Sequence, residues 1–300
     1  MARLLKGILW LGALGLIVAI AGYILILPRL GQADLSAAVG GLSGDATRGE
    51  YLVIASGCIA CHTDLKNKGK FLAGGAPLKT PFGTFYAPNI TSDKTYGIGK
   101  WSSDQFAKAM LAGIAPDGGH YFPSFPYTSY AAMRPQDVAD IKSYLDKVEP
   151  VSQPSKPHEL GWPFSDRSFV GVWKELFFEP NAFKEHSDKS EAWNRGAYLV
   201  NVLGHCGECH TQRNLMGGQS GVPLAGNSNG PDGARVPGIR GLTARKKPWS
   251  NNDLLLSLQV GMIPSGDFLG GTMAEVVAHS TSKLKPSDQA AMSEYIMRLK

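Results

Sequence analysis

Two kinds of apolar patterning divide this chain. Residues 7–27 run for 21 positions without a charge, about 31 Å as a helix and long enough for the hydrocarbon core of a bilayer. Beyond residue 45 the apolar positions are spaced for amphipathic helices instead. An opening helix is expected from Asp45 to the first cysteine, presenting Tyr51, Leu52 and Ile54. A middle helix should start at Ser102-Ser-Asp-Gln105, a capping-box sequence, with Phe106, Met110 and Leu111 on one face. A final helix should start at Pro135, whose missing N–H costs nothing in a first turn, and bury Val138, Ile141, Tyr144 and Leu145. The same three elements then recur. They are residues 193–203, a helix from Ser250-Asn-Asn-Asp253 with Leu254, Leu255 and Leu258, and a helix from Pro286 through Met292, Tyr295 and Ile296. Gly- and Pro-rich loops separate them, with almost no strand signal. The expected fold class is mainly α.

The recurrence is a duplication. An offset of 148 superposes Cys206 on Cys58, Trp249-Ser250 on Trp101-Ser102, Gly261 on Gly113, Pro264 on Pro116 and Gly266 on Gly118. Upstream, Arg195-Gly196-x-Tyr198 repeats Arg48-Gly49-x-Tyr51 at 147, because His205 is one extra residue. Downstream, Asp288 and Tyr295 repeat Asp137 and Tyr144 at 151. Each copy, of roughly 100 residues, reads as an independent domain.

Each copy carries one chemical signature, Cys58-Ile-Ala-Cys61-His62 and Cys206-Gly-Glu-Cys209-His210. This is the C-x-x-C-H attachment pattern of a c-type haem. Two thiols three positions apart on one helical turn can add to two vinyl groups of one porphyrin, and the next residue brings an imidazole to the iron. These four cysteines are the only ones in the chain, so none remains for a disulfide. A zinc site, the other use of C-x-x-C, would need the two motifs to converge and gives His62 and His210 no part of their own. The expected cofactors are two covalently bound haem c groups, attached through Cys58, Cys61, Cys206 and Cys209, with His62 and His210 on the irons. Short helices, long loops and a prosthetic group in place of a larger apolar core fit two tandem cytochrome c domains behind a single N-terminal transmembrane helix.

The divisions follow from composition. Residues 1–27 hold the anchor, with Arg3 and Lys6 ahead of the apolar run, which leaves the N-terminus cytoplasmic and the haem domains in the bacterial periplasm. A cleaved signal would have an apolar region of about 7–15 residues and a small-residue cleavage site. Here the run is longer and leads into Pro28-Arg29-Leu30. Residues 28–44 form a flexible tether spanning roughly 20–25 Å. Residues 45–147 and 193–300 are the two domains. Between them, residues 148–192 begin with Pro150, Pro154, Pro157 and Pro163 and continue with Phe169-Val-Gly-Val-Trp-Lys-Glu-Leu-Phe-Phe178. So much apolar surface points to a strap packed across both domains rather than free coil.

The formal charge of +5 falls near zero once two propionates per haem are counted. Lys66, Lys68 and Lys70, and Arg245, Lys246 and Lys247, form patches suited to an acidic redox partner, or simply solvated loops. No nucleotide-binding glycine fingerprint, nucleophile–base pair or basic-aromatic nucleic-acid surface is present.

Thr80-Pro-Phe-Gly-Thr-Phe-Tyr-Ala-Pro-Asn-Ile-Thr91, Gly97-Ile-Gly-Lys-Trp-Ser102 and Gly204-His-Cys-Gly-Glu-Cys-His-Thr-Gln-Arg213 make a more specific pattern. With it, residues 45–300 resemble the membrane-bound c-type cytochromes that include the cytochrome subunits of periplasmic alcohol, gluconate and aldehyde dehydrogenases. Those subunits usually carry three haems, and this sequence has two motifs. The resemblance implies electron carriage between a periplasmic donor and a respiratory or photosynthetic membrane acceptor. Expected partners are a periplasmic dehydrogenase, a cytochrome bc1 complex or a terminal oxidase, and membrane lipid through the N-terminal helix. The place is the bacterial inner membrane, single-pass. The resemblance also makes Met273, ahead of the final helix, the distal ligand of the second iron. At offset 148 the first copy has Phe125 there, which cannot bind iron. Met133, just before Pro135, is then the first iron's expected ligand, although offset 151 pairs it with Leu284, a packing position. His120 or no protein ligand are the alternatives. An open first iron would fit a different class, a dihaem enzyme of peroxidase or thiosulfate type.

Overall fold

The computed structural model describes residues 2–22, 39 and 41–300. Helix α1 occupies Ala2–Ala21. The end of the expected span, residues 23–27, and most of the tether lie outside the described residues. Among the described residues no helix is long and apolar enough to cross a membrane.

The first copy folds as α2 (Ala46–Ala55), α3 (Cys58–His62), α4 (Ser103–Ala107) continued by a π turn over Lys108–Ala112, α5 (Tyr127–Tyr130) and α6 (Pro135–Leu145). Asp45 caps α2, accepting from the Thr47 N–H at 2.8 Å and the Arg48 N–H at 3.2 Å. The capping box at Ser102 and Gln105 forms in both directions. The strap contributes α7 (Ser168–Phe177). The second copy follows with α8 (Glu191–Tyr198), a π turn over Leu199–Leu203, α9 (Gly207–His210), α10 (Asn251–Val260), α11 (Gly271–His279) and α12 (Pro286–Met297). The expected opening helix at 193–203 is therefore split. A π turn is one residue wider than an α turn, and it falls just ahead of the extra residue, His205.

Two features differ from the sequence expectation. A three-stranded sheet forms from β1 (Pro77–Thr80), β2 (Gly83–Tyr86) and β3 (Glu159–Leu160). Strands of two to four residues are too short to show an alternating pattern, and the third comes from the strap, pairing Gly83 with Leu160. A smaller ladder, β4 (Gly226–Asn227) with β5 (Val236–Pro237), lies in the second copy. The second is a further helix: Met273, ahead of the final helix, lies in the first turn of α11.

The repeated Arg-Gly-x-Tyr sequence explains how the copies join. Within each copy the glycine lets the opening helix cross the final helix closely: a Cβ on Gly49 would strike the Asp140 carbonyl, and one on Gly196 the Ala291 carbonyl. The arginine pairs with the final helix of its own copy, Arg48 with Asp137 and Asp140, and Arg195 with Asp288. The tyrosine crosses over. Tyr198 Oη donates to Asp137 at 2.6 Å and accepts from the Arg134 N–H at 2.9 Å. Tyr51 Oη donates to Asp288 at 2.6 Å and accepts from the Lys285 N–H at 3.1 Å. Each copy thus grips the first turn of the other's final helix, as in a pseudo-twofold pair. One apolar cluster contains Leu52, Val53, Ile141 and Leu145 of the first copy with Leu199, Leu203, Met292 and Ile296 of the second. The copies share a core and do not stand apart as the repeat alone implied.

The strap touches both. Lys174 on α7 is almost fully buried in the first copy, where Nζ donates to the Ala112 carbonyl at 2.6 Å and the Gly113 carbonyl at 2.9 Å. Trp173 Nε1 donates to the Met216 carbonyl of the second copy, and Phe183 meets Tyr198 edge-on.

Candidate functional site

Cys58–His62 forms the short helix α3, and Cys206 caps the short helix α9 (Gly207–His210), so in each motif two cysteines and a histidine follow one another around one turn. None of the four cysteines is in a disulfide. Burial raises the Cys58 and Cys206 thiols to about 12 and Cys209 to about 11, which keeps them protonated. Cys61, pushed up by the same cause, still reaches the surface of the polypeptide.

The imidazoles are held alike. His62 Nδ1 lies 2.8 Å from the Pro88 carbonyl, and His210 Nδ1 2.7 Å from the Pro237 carbonyl. A carbonyl only accepts, so the proton sits on Nδ1 and the lone pair on Nε2, the tautomer of a metal ligand. Burial lowers the pKa of both rings and so favours the neutral form.

Behind each histidine the backbone repeats in detail. Thr63 Oγ1 accepts from the Leu72 N–H at 3.1 Å, and Thr211 Oγ1 from the Leu224 N–H at 3.0 Å. The leucine carbonyls accept from Ile90 and Ile239, both at 2.9 Å. Leu72 and Leu224 are buried with φ of 53° and 61°, left-handed values that a non-glycine residue adopts only where its surroundings hold it. Sequence reasoning missed this support. Its signal was present: a threonine directly after each motif, then Pro88-Asn-Ile90 in one copy and Pro237-Gly-Ile239 in the other.

The residues therefore fit a haem c in each copy, with two thiols on one turn and a neutral imidazole locked in the ligating tautomer. Among the described residues no three of His, Cys, Asp and Glu gather as a metal-binding group, so the two motifs do not combine into the four-ligand set of a zinc site.

The expected distal residues differ between the copies. Met133 is buried at 4% exposure in the shared core, its N–H bonded to the Tyr130 carbonyl at 2.8 Å. Met273 is half-buried on α11, a helix that packs against both α10 and the Cys58–His62 helix. Phe125, which offset 148 aligns with Met273, meets Tyr127 and Tyr130 edge-on. His120 is committed elsewhere. Its Nδ1 lies 3.1 Å from Lys174 Nζ, and its carbonyl accepts from Arg167 at 2.7 Å. Its Nε2 is buried with no hydrogen-bond partner among the described residues. Burial first, then Lys174 and Arg167, lower the His120 pKa to about 4.

The pattern described as cytochrome c matches residues 46–149. A protein of Cereibacter sphaeroides named "Diheme cytochrome c-type" is 42% identical over 291 residues, 96% of this chain and 96% of that protein. The fructose dehydrogenase cytochrome subunit of Gluconobacter japonicus is 39% identical over 256 residues, 83% of this chain and 51% of that subunit. The gluconate 2-dehydrogenase cytochrome c subunit of Pantoea cypripedii is 36% identical over 282 residues, 90% of this chain and 63% of that subunit. The chain spans nearly all of the first relative and less than two-thirds of the two dehydrogenase subunits.

Proposed function

The chain belongs to the cytochrome c family that includes the diheme c-type cytochromes, and from that membership we propose that it is a membrane-anchored dihaem electron carrier. The observation that carries this reading is the His–Pro lock, built twice on the same backbone. Haem c, when bound, supplies a one-electron couple at its iron. The rest is the work of the chain. Cys58 and Cys61 tie the group to the first copy, Cys206 and Cys209 to the second. His62 and His210 present Nε2, held by Pro88 and Pro237. Met133 and Met273 would supply thioether ligands, a donor type that favours reduced iron and a higher potential.

The N-terminal segment is the anchor, and the haem copies lie in the periplasm. Supporting this, α1 exposes Trp10, Leu11, Leu14, Leu16, Ile17 and Val18, all apolar. The relatives named as cytochrome subunits of fructose and gluconate 2-dehydrogenases support a dehydrogenase as the donor class; the acceptor is a bc1 complex or a terminal oxidase. Phe125 in the first copy's distal slot supports one alternative, a dihaem enzyme whose first iron is open to a small substrate.

One experiment separates them. The purified protein should exchange electrons with a dehydrogenase or an acceptor from its own membranes, show two low-spin haems, and bind cyanide poorly at both. A first iron that is high-spin and takes up cyanide readily would favour the enzyme.

A further inference from the structure

The segments that lead into the two attachment motifs approach each other, and His205, which stands directly before Cys206 as Gly57 does before Cys58, reaches across at that point. His205 is the insertion that moves the offset between copies from 147 to 148. Its backbone takes φ 38°, left-handed and costly for a residue with a Cβ; Gly57, directly before Cys58, takes φ 64° at no such cost. The imidazole reaches across the copies, with Nε2 3.8 Å from where a Cβ on Gly57 would stand. Its ring meets Tyr130 of the first copy edge-on, centroids 5.5 Å apart, and Tyr130 Oη donates to the Ser56 carbonyl at 2.8 Å. A second bridge runs beside it. Glu208, inside the second motif, accepts from Thr128 at 2.7 Å and from Ser129 at 2.8 Å, both on α5 of the first copy. Arg213 pairs with the other oxygen of that carboxylate.

We propose that His205 is a positioning residue for electron exchange between the copies: wedged between Gly57, Tyr130 and the second motif, it fixes the spacing of the two attachment helices. The tyrosine latches hold the outer helices of the copies together. His205 sets the separation where the cofactors attach, and its strained backbone persists because the junction holds it there. The proposal rests on the electron-carrier reading. The step it serves moves one electron, one haem being oxidised as the other is reduced, with no atom or proton transferred.

The test uses the full-length protein with both haems. His205→Gly accepts the left-handed backbone without strain, so it should keep its haem content and melting temperature while losing the wedge. After rapid one-electron injection, redistribution between its haems should be several-fold slower than in the wild type. The magnetic interaction between the oxidised haems, read by electron paramagnetic resonance, should weaken. His205→Asn tolerates the left-handed backbone and keeps a polar side chain at the junction, so it should recover part of both. An unchanged rate and an unchanged magnetic interaction in His205→Gly would overturn the proposal. A wild type whose haems never exchange electrons would overturn the carrier reading itself, and this inference with it.

Discussion

The two copies agree on one side of the cofactor site and disagree on the other. On the histidine side they share a threonine hydroxyl, a left-handed buried leucine and a proline carbonyl on Nδ1. The expected distal residues are unlike: a partly buried Phe125 and a buried Met133 in the first copy, and a half-buried Met273 on α11 in the second. The loop after the middle helix diverges too. In the first copy it is covered by α7, with Lys174 on its carbonyls, whereas Phe268, the counterpart of His120, is 63% exposed. Attachment and proximal ligation constrain both copies equally, because they depend on the same covalent chemistry. The distal side is where one duplicated domain can acquire a different potential or a different neighbour.

Removing the distal thioethers should give the largest effect. Met273→Ala should abolish one thioether–ferric charge-transfer band and Met133→Leu the other, each leaving its partner haem intact. A variant that keeps both bands would remove that methionine from the assignment. Because α11 packs against the first motif, the spectrum of Met273→Ala also tells which iron it serves.

The next test is the reciprocal latch. Asp288→Ala removes the partner of Arg195 and of Tyr51 together, breaking a largely buried ion pair, and should cost about 3–5 kcal/mol of stability. Since the copies share a core, chemical denaturation should still be one transition for both haems. Two separate transitions would show that the copies fold alone after all.

Much of this was legible in the sequence. The C-x-x-C-H motifs, the offsets and the Pro-started final helices could be read because each depends on local chemistry at fixed spacing. The crossing of Tyr51 to Asp288 and of Tyr198 to Asp137 was not legible, although all four residues were visible as repeats. Repetition shows that a residue is needed in both copies, and gives no sign of whether its partner is its own copy or the other. The strands were hidden by their shortness, and the Lys174 insertion by the absence of any local signal for a buried lysine.

Thr63→Val and Thr211→Val should cost less, about 1–3 kcal/mol each, by leaving the buried N–H of Leu72 or Leu224 without an acceptor. The comparison predicts similar losses in the two copies. A large loss in only one would show that the proximal supports are not equivalent.

The smallest effect is in acid. Burial alone would raise Asp288, but hydrogen bonds from Arg195 and Tyr51 hold its carboxyl below the ordinary range. The stability it contributes is present above about pH 4 and is lost as the pH falls through its lowered folded-state pKa. Asp288→Asn should flatten that part of the acid profile, and an unchanged profile would assign the acid sensitivity to other carboxylates.

Two equivalent attachment sites are tested most directly by the mass of the denatured full-length chain. It should show two covalently attached haems, falling to one when Cys206 and Cys209 are both replaced by alanine. A chain carrying one haem or three, or one whose haem count is indifferent to that change, would contradict it.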